Sequence, residues 1–308
     1  MNKPLVDVYV LSYKRPHFLR LMLDSLIGQD YPEIRITVID NASTAETREV
    51  LNAYANRYSN FSYRAFSDAG FDRFNISLLW SDADFVFMPH DDDVVASDWV
   101  SRAVDVLHSN PTIGAVFSRY HSIDDVGNQL HTSTFGYPPG LLEIDSFVAH
   151  FVMTGELPIV ASGVYRMDTI RKYNIRIENP RVVGVALDVQ LLRDLNAVSE
   201  MYCVDYGGYR YRSHGGQTAV TMALEAMCSA IYIVSSTGSS DRKVAKRMLG
   251  AIAEYTLCQS KPLTVPYKFS MRILRWICKR DLYISTKFLN PLIKIFRRNL
   301  GTLVLHGD

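Results

Sequence analysis

The sequence predicts an α/β protein: a mixed, mostly parallel sheet flanked by helices, followed by a helical, basic C-terminal extension. Three observations carry that expectation. Strand and helix signals alternate through the first 120 residues. Phe85-Val86-Phe87-Met88 is a continuous apolar run of the kind found at the centre of a buried parallel sheet. Polar residues collect where the apolar strands end, and parallel sheets with right-handed crossovers bind ligands outside those carboxyl ends.

Each element follows from local pattern. Residues 6–11 form a short apolar strand ended by Ser12; Phe18, Leu19, Met22, Leu26 and Ile27 then fall at helical spacing until Gly28 and Pro32 stop the helix. Residues 34–39 alternate apolar and polar and end at Asp40-Asn41, after which Val50, Leu51, Tyr54 and Tyr58 make a helical stripe. A third strand is expected over 61–66, leading to Asp68, then a helix over 72–82 and the apolar strand 85–88. Ser97 is placed to cap a helix carrying Trp99, Val100, Ala103, Val104 and Leu107, and 113–118 reads as the next strand. Tyr54, Tyr58 and Trp99, at helical spacing with apolar neighbours, are expected in the core.

The 308 residues suit one large or two small domains. Cys203, Cys228, Cys258 and Cys278 show no C-x-x-C spacing, which predicts free thiols in a reducing compartment and hence a cytoplasmic protein. The first 12 residues hold a short apolar run broken by Asp7 with no cleavage-site pattern, and no run reaches about 18 apolar residues, so neither secretion nor spanning is expected. Charge is divided: from Lys261 onward ten Lys/Arg stand against two Asp, whereas the preceding residues hold 23 basic against 30 acidic. An anionic partner is therefore expected for the tail, and the acidic body argues against nucleic acid.

Directly after the fourth strand come His90-Asp91-Asp92-Asp93. Adjacent carboxylates repel, so a divalent cation, a basic partner or full solvation must offset them. The first loop, Leu11-Ser12-Tyr13-Lys14-Arg15-Pro16, has no glycine and so no dinucleotide-binding turn, and no G-x-x-x-x-G-K-[ST] phosphate loop occurs. A nucleotide here would need its phosphates neutralised by a metal held on carboxylates.

The segments Val8-Tyr9-Val10-Leu11-Ser12-Tyr13-Lys14-Arg15-Pro16, Ser25-Leu26-Ile27-Gly28-Gln29-Asp30-Tyr31-Pro32 and Val38-Ile39-Asp40-Asn41-Ala42-Ser43-Thr44 resemble the opening of family 2 glycosyltransferases of the Rossmann-like GT-A fold, in order and spacing. The resemblance implies an inverting transferase domain over 1–218, with a nucleotide-sugar half to about 118 and an acceptor half over 119–218; 219–260 is expected to be helical and 261–308 a basic amphipathic tail. It implies that the carboxylate run is the D-x-D element, which holds Mn or Mg against a donor diphosphate. Carried onto these residues, it makes Asp92 the principal metal ligand with Asp93 and His214 beside it, and Asp91 a ribose or metal contact. Leu11, Ser12, Tyr13, Asp40, Asn41, Asp68 and Arg73 then join the nucleotide site. His90 replaces the usual first acid, so either the pair is Asp91-x-Asp93 or His90 itself is a ligand or hydrogen-bond donor. Asn41, with donor and acceptor on one amide, is suited to a pyrimidine edge, favouring UDP or dTDP. Leu187-Asp188-Val189-Gln190-Leu191-Leu192-Arg193 resembles the family's E-D-x-x-L motif and makes Asp188 the general base, without its usual acidic neighbour. Tyr211-Arg212-Ser213-His214 resembles the R-x-H segment, in which Arg212 steadies the leaving phosphate.

Plain alternatives accompany these readings. The acids alone could be solvated caps, Asp188 a helix N-terminal acid, and His214 or Asn41 structural. Asp91-x-Asp93-x-Val95 also fits the D-x-D-x-[TV] pattern of haloacid-dehalogenase-type phosphotransferases, with Asp91 as nucleophile, although that motif belongs on a first strand. A non-catalytic sugar-nucleotide-binding or membrane-scaffold module is the third reading, prompted by His90 and Leu187. In the tail, Phe269, Ile273, Leu274, Trp276 and Ile277 interleave with Lys268, Arg272, Arg275, Lys279 and Arg280. This pattern suits an anionic membrane surface or a helix packed on the domain. With the resemblance, which implies a glycan or lipid-linked acceptor in O-antigen or capsule synthesis, these features lead us to expect a cytoplasmic enzyme, peripheral on the inner face of the plasma membrane.

Overall fold

β1 (Val6–Ser12) lies inside the sheet, paired in parallel with β2 (Ile34–Asp40) on one side and with β4 (Phe85–Phe87) on the other; β2 in turn pairs in parallel with β3 (Phe61–Ala65). The computed structural model describes residues 3–214 apart from 69, 71–72, 132–133, 135, 155 and 178–186. The expected helical segment 219–260 and the basic tail, together with Cys228, Cys258 and Cys278, lie outside the described residues; Cys203 is a buried free thiol.

Crossover helices connect these strands. α1 (Pro16–Ile27) starts with Pro at its first turn, where a missing N–H costs nothing, and buries Leu19, Met22, Leu23 and Leu26 in one core with Val6, Val8 and Val10. Each such burial is worth about 2 kcal/mol. α2 (Ala45–Arg57) is capped by the Thr44 hydroxyl, which accepts from the Thr47 N–H at 3.2 Å, and it buries Tyr54 as expected. α3 (Phe74–Trp80) is shorter than the expected 72–82: it stops at Ser81, whose extended backbone and hydroxyl, bonded to buried Asp7 at 2.6 Å, take it out of the helix.

α4 (Trp99–Ser109) departs from expectation at its start. Ser97 does not cap it; the cap position is Asp98, which makes no side-chain cap bond, and the Ser97 carbonyl accepts from Asp30 N at 2.8 Å. The exposed helix N–H is met from elsewhere: the Gln29 side chain accepts from Val100 N at 3.1 Å and donates to Ala96 O at 2.8 Å. Trp99 is fully buried, its ring N–H on Ser162 O at 3.0 Å.

The second half of the sheet is mixed. β5 (Val94–Val95), β7 (Gly140–Leu142) and β6 (Ile113–Ile123) all pair with the long β9 (Glu200–Arg212), β6 in parallel and the other two antiparallel. β8 (Val164–Arg166) is inserted antiparallel between β4 and β6, giving the order β3-β2-β1-β4-β8-β6-β9-β5 among the described residues, with β7 on β9. β6 runs five residues beyond its expected end, because a register shift at Arg119 lets pairing resume at Tyr120 and continue through the polar His121 and Ser122. The long pairings and the short β1–β4 pairing are parallel and the antiparallel pairings are all short, in line with the mixed, mostly parallel expectation. α5 (Ser146–Thr154), a short 3-10 helix (Val160–Ser162), α6 (Met167–Tyr173) and α7 (Leu187–Asn196) complete the described elements.

Candidate active site

The adjacency of β1 and β4 puts the loops that follow them side by side. Leu11 N donates to Pro89 O at 3.4 Å and Leu11 bridges His90, continuing the parallel ladder past the strand end. Tyr13 N then donates to Asp91 Oδ2 at 2.8 Å. Lys14 turns the chain in the left-handed region at φ 54°, and Arg15 comes back onto the carboxylates. Its Nη2 lies 2.8 Å from Asp91 Oδ1 and its Nη1 bonds Asp92 Oδ2.

The end of β9 closes on the other side of the run. Arg212 N and the Tyr209 hydroxyl each donate to Asp93 at 2.8 Å, and Arg212 Nε donates to Asp92 O at 2.7 Å. Arg212 is buried and also donates through Nη1 to Asp124 O and Asp125 O at 2.9 and 3.0 Å, so in these contacts it braces the carboxylate loop. His214 Nε2 is 3.0 Å from Asp92 Oδ2, and its ring packs on Phe18 with centroids 4.9 Å apart.

Asp91, Asp92 and Asp93 are 0%, 6% and 1% exposed. Burial on this scale removes the alternative of solvated caps, and the repulsion is offset by basic partners. Burial pushes the Asp91 and Asp93 carboxyls above the usual carboxylate range. Burial pushes Asp92 upward too, but His90, Arg15 and His214 outweigh it and hold its carboxyl below that range. His90, Asp92 and Asp93 can each offer one ligand atom, all within 4.8 Å of one another. One imidazole nitrogen and two carboxylate oxygens make a donor set that fits a divalent cation such as Mn.

The neighbouring strand ends carry the remaining expected residues. Ser12 and Asp40 face each other in the β1–β2 register and are buried; Ser12 Oγ and both Asp40 carboxylate oxygens have no hydrogen-bond partner among the described residues. Burial pushes the Asp40 carboxyl up, with the Ser43 hydroxyl and Arg48 charge nearby offsetting part of the shift. The Asn41 amide is spent on Gly70, donating to its carbonyl at 3.3 Å and accepting from its N–H at 2.9 Å. Asp68 and Arg73 pair with each other at 3.0 Å on the loop between β3 and α3, and the Arg73 guanidinium lies over Phe66.

Asp188 sits in the first turn of α7, half-buried. Burial pushes its carboxyl up and the charge of His90 partly lowers it; the hydroxyls of buried Tyr165 and half-buried Tyr211 are pushed up chiefly by their own burial, with a smaller contribution from Asp188. Asp188 feels the charge of His90, and no hydrogen bond joins it to the carboxylate run among the described contacts.

Sequence reasoning passed over Arg15, Tyr209 and Phe18. Arg15 was legible in principle: in a parallel sheet whose first and fourth strands are neighbours, a cation just after the first must face acids just after the fourth. Tyr209 and Phe18 gave no signal, because they read as ordinary core aromatics.

The Glycosyl transferase family 2 model matches residues 7–167, more than half of the chain. The chain is a family 2 glycosyltransferase. Chondroitin synthase of Escherichia coli is 19% identical to it over 220 residues, 70% of this chain and 30% of that protein. The glycosyltransferase thus spans less than a third of the length of that curated relative. Among solved structures, S. aureus TarS 1–349 in complex with UDP-GlcNAc matches with a TM-score of 0.67 at 14% identity, covering 96% of this chain and 88% of that one. The mannosyltransferase PcManGT of Pyrobaculum calidifontis, in complex with GDP-Man and Mn2+, matches with a TM-score of 0.54 at 14% identity over 97% of this chain and 88% of that one. These likenesses show the GT-A fold. Family membership also removes the phosphotransferase reading, and Asp91, fully buried and held by Tyr13 N and Arg15, is not disposed as a nucleophile.

Proposed function

We propose that this glycosyltransferase moves a sugar, with inversion, from a nucleoside-diphosphate sugar to a hydroxyl of a glycan or lipid-linked acceptor, in the assembly of a bacterial surface polysaccharide such as O-antigen or capsule. The observation that carries the donor half is the buried His90–Asp93 run at the carboxyl edge of the parallel strands, beside the unpartnered Ser12 and Asp40. UDP-GlcNAc and GDP-Man are the donors named with TarS and PcManGT, which supports a nucleotide sugar here.

Asp40 is the acceptor for a base N–H, since no described N–H donates to its buried carboxylate, while the Asn41 amide already exchanges two hydrogen bonds with Gly70. An imide N–H of uracil or thymine suits it. Asp92, Asp93 and His90, with His214 beside Asp92, would hold the divalent cation, Mn or Mg. When bound, that cation supplies positive charge to the departing diphosphate. Asp188 takes the proton of the acceptor hydroxyl; the hydroxyl oxygen forms the new bond to the anomeric carbon as the bond to the diphosphate breaks. Tyr209 and Arg212 fix Asp93 and the loop carbonyl of Asp92, so the acids keep their places during turnover.

The basic tail from Lys261, outside the described residues, holds the enzyme on an anionic membrane surface near a lipid-linked acceptor. Among the described residues no helix is long and apolar enough to cross a membrane. A thermal-shift screen of UDP-, dTDP- and GDP-sugars with and without Mn tests the donor proposal. Stabilisation by a uridine or thymidine donor only with metal is expected; no shift with any nucleotide sugar overturns it.

A further inference from the structure

We propose that Arg15 is the resident counter-ion of Asp91 and Asp92 in the donor-free enzyme, and that a divalent cation arriving with the nucleoside diphosphate displaces its guanidinium, which then serves the diphosphate. The proposal rests on the metal-dependent reading given above. Its basis is a clamp built wholly from the turn after β1. Tyr13 N holds one oxygen of Asp91, Lys14 reverses the chain at φ 54°, and Arg15 reaches the other oxygen of Asp91 and one oxygen of Asp92. One delocalised positive charge therefore spans two neighbouring buried carboxylates and offsets their mutual repulsion.

That placement sets up a competition. Asp92 Oδ2 already carries Arg15 and His214, yet Asp92 also belongs to the His90–Asp92–Asp93 group that fits a cation. A divalent ion on Asp92 and the guanidinium of Arg15 are like charges at one carboxylate, so each weakens the other. Arg15 is partly exposed, with 24% of its side chain open to solvent, and its Nε has no hydrogen-bond partner among the described residues. The guanidinium can therefore turn outward without itself becoming a buried, unpaired charge, while Tyr13 N keeps its bond to Asp91. A planar fork freed beside the metal site matches two oxygens of a diphosphate, so the arginine lost to the carboxylates is regained on the donor. Metal alone must evict Arg15 with nothing to receive it; metal with nucleotide need not. Cation and donor thus bind together.

The test measures Mn²⁺ affinity of the full-length protein by electron paramagnetic resonance, with and without UDP, in wild type, Arg15→Gln, Arg15→Lys and Asp92→Asn. Arg15→Gln is expected to bind Mn²⁺ about tenfold more tightly than wild type without nucleotide, and to lose much of the tightening that UDP gives wild type. Arg15→Lys keeps the charge and should stay near wild type without nucleotide. In a parallel melting measurement, Mn²⁺ alone should raise the Tm of Arg15→Gln more than that of wild type, which also shows that the variant is folded. Unchanged or weaker Mn²⁺ binding by folded Arg15→Gln, where wild type with UDP binds Mn²⁺ through Asp92, overturns the exchange alone. Absence of Mn²⁺ binding in every form, UDP present, overturns the metal reading and the exchange with it.

Discussion

Asp188 and Asp92 are both aspartates near one rim, and their surroundings push them apart. Burial raises the Asp188 carboxyl with partial relief from His90, whereas Asp92 is held low by His90, Arg15 and His214 against its own burial. A group with a raised pKa suits taking a proton; one held ionised suits binding a cation. The sign for activity follows. Asp188 must be deprotonated to act as a base, so transfer should fall as pH drops through its raised pKa, and the acid limb of kcat should lie above the ordinary carboxylate value. Asp188→Asn should lower kcat by about 10²-fold or more while nucleotide binding, read by thermal shift, persists. An acid limb at the ordinary carboxylate position would remove Asp188 from this role. Asp92→Asn should show the complementary loss: nucleotide-induced stabilisation no longer responds to added Mn, because the variant removes charge from the candidate cation site.

At the scale of elements, all of the strands and helices of the first 120 residues but the two-residue β5 were legible because each has its own period and its own stop: Val6, Val8 and Val10 on one face of β1, Leu19, Met22, Leu23 and Leu26 on one stripe of α1. What the sequence hid is tertiary. The start of α4 is met by Gln29, 71 residues before the Val100 N–H it accepts, and no local pattern announces a cap supplied from another element. β8 is three residues long and enters antiparallel between β4 and β6, too short for periodicity to detect. The site divides in the same way: the carboxylate run, Asp188 and His214 are local motifs, whereas Arg15, Tyr209 and the bracing contacts of Arg212 depend on which strands become neighbours. Gln29→Ala should therefore cost about 1 kcal/mol in denaturant unfolding, the ordinary worth of a helix cap, and Ser97→Ala should stay within about 0.5 kcal/mol. Equal losses in the two variants would return the capping role to Ser97.

At the scale of the whole molecule, the charge division along the chain bears on the proposed membrane contact. A transferase body with 30 acidic against 23 basic residues is repelled by an anionic surface, so the ten Lys/Arg after residue 260 must do all the attracting. Near an anionic leaflet each basic residue contributes about 1 kcal/mol, within roughly a Debye length of about 8 Å at physiological salt. Because the attraction is additive and screened, it makes two linked demands. Full-length protein should sediment with vesicles containing phosphatidylglycerol, far less with neutral vesicles, and release as salt is raised. Reversing Arg297 and Arg298 to Glu should weaken that binding by about tenfold or more, since each reversal removes one attraction and adds one repulsion. Nucleotide binding, measured by thermal shift, should not change, as the variants leave Asp40, Asp92 and Asp188 in place. Vesicle binding that ignores both salt and these reversals would mean that the tail's charge does not hold the enzyme at the membrane, and its apolar residues would then have to be accounted for by packing on the protein.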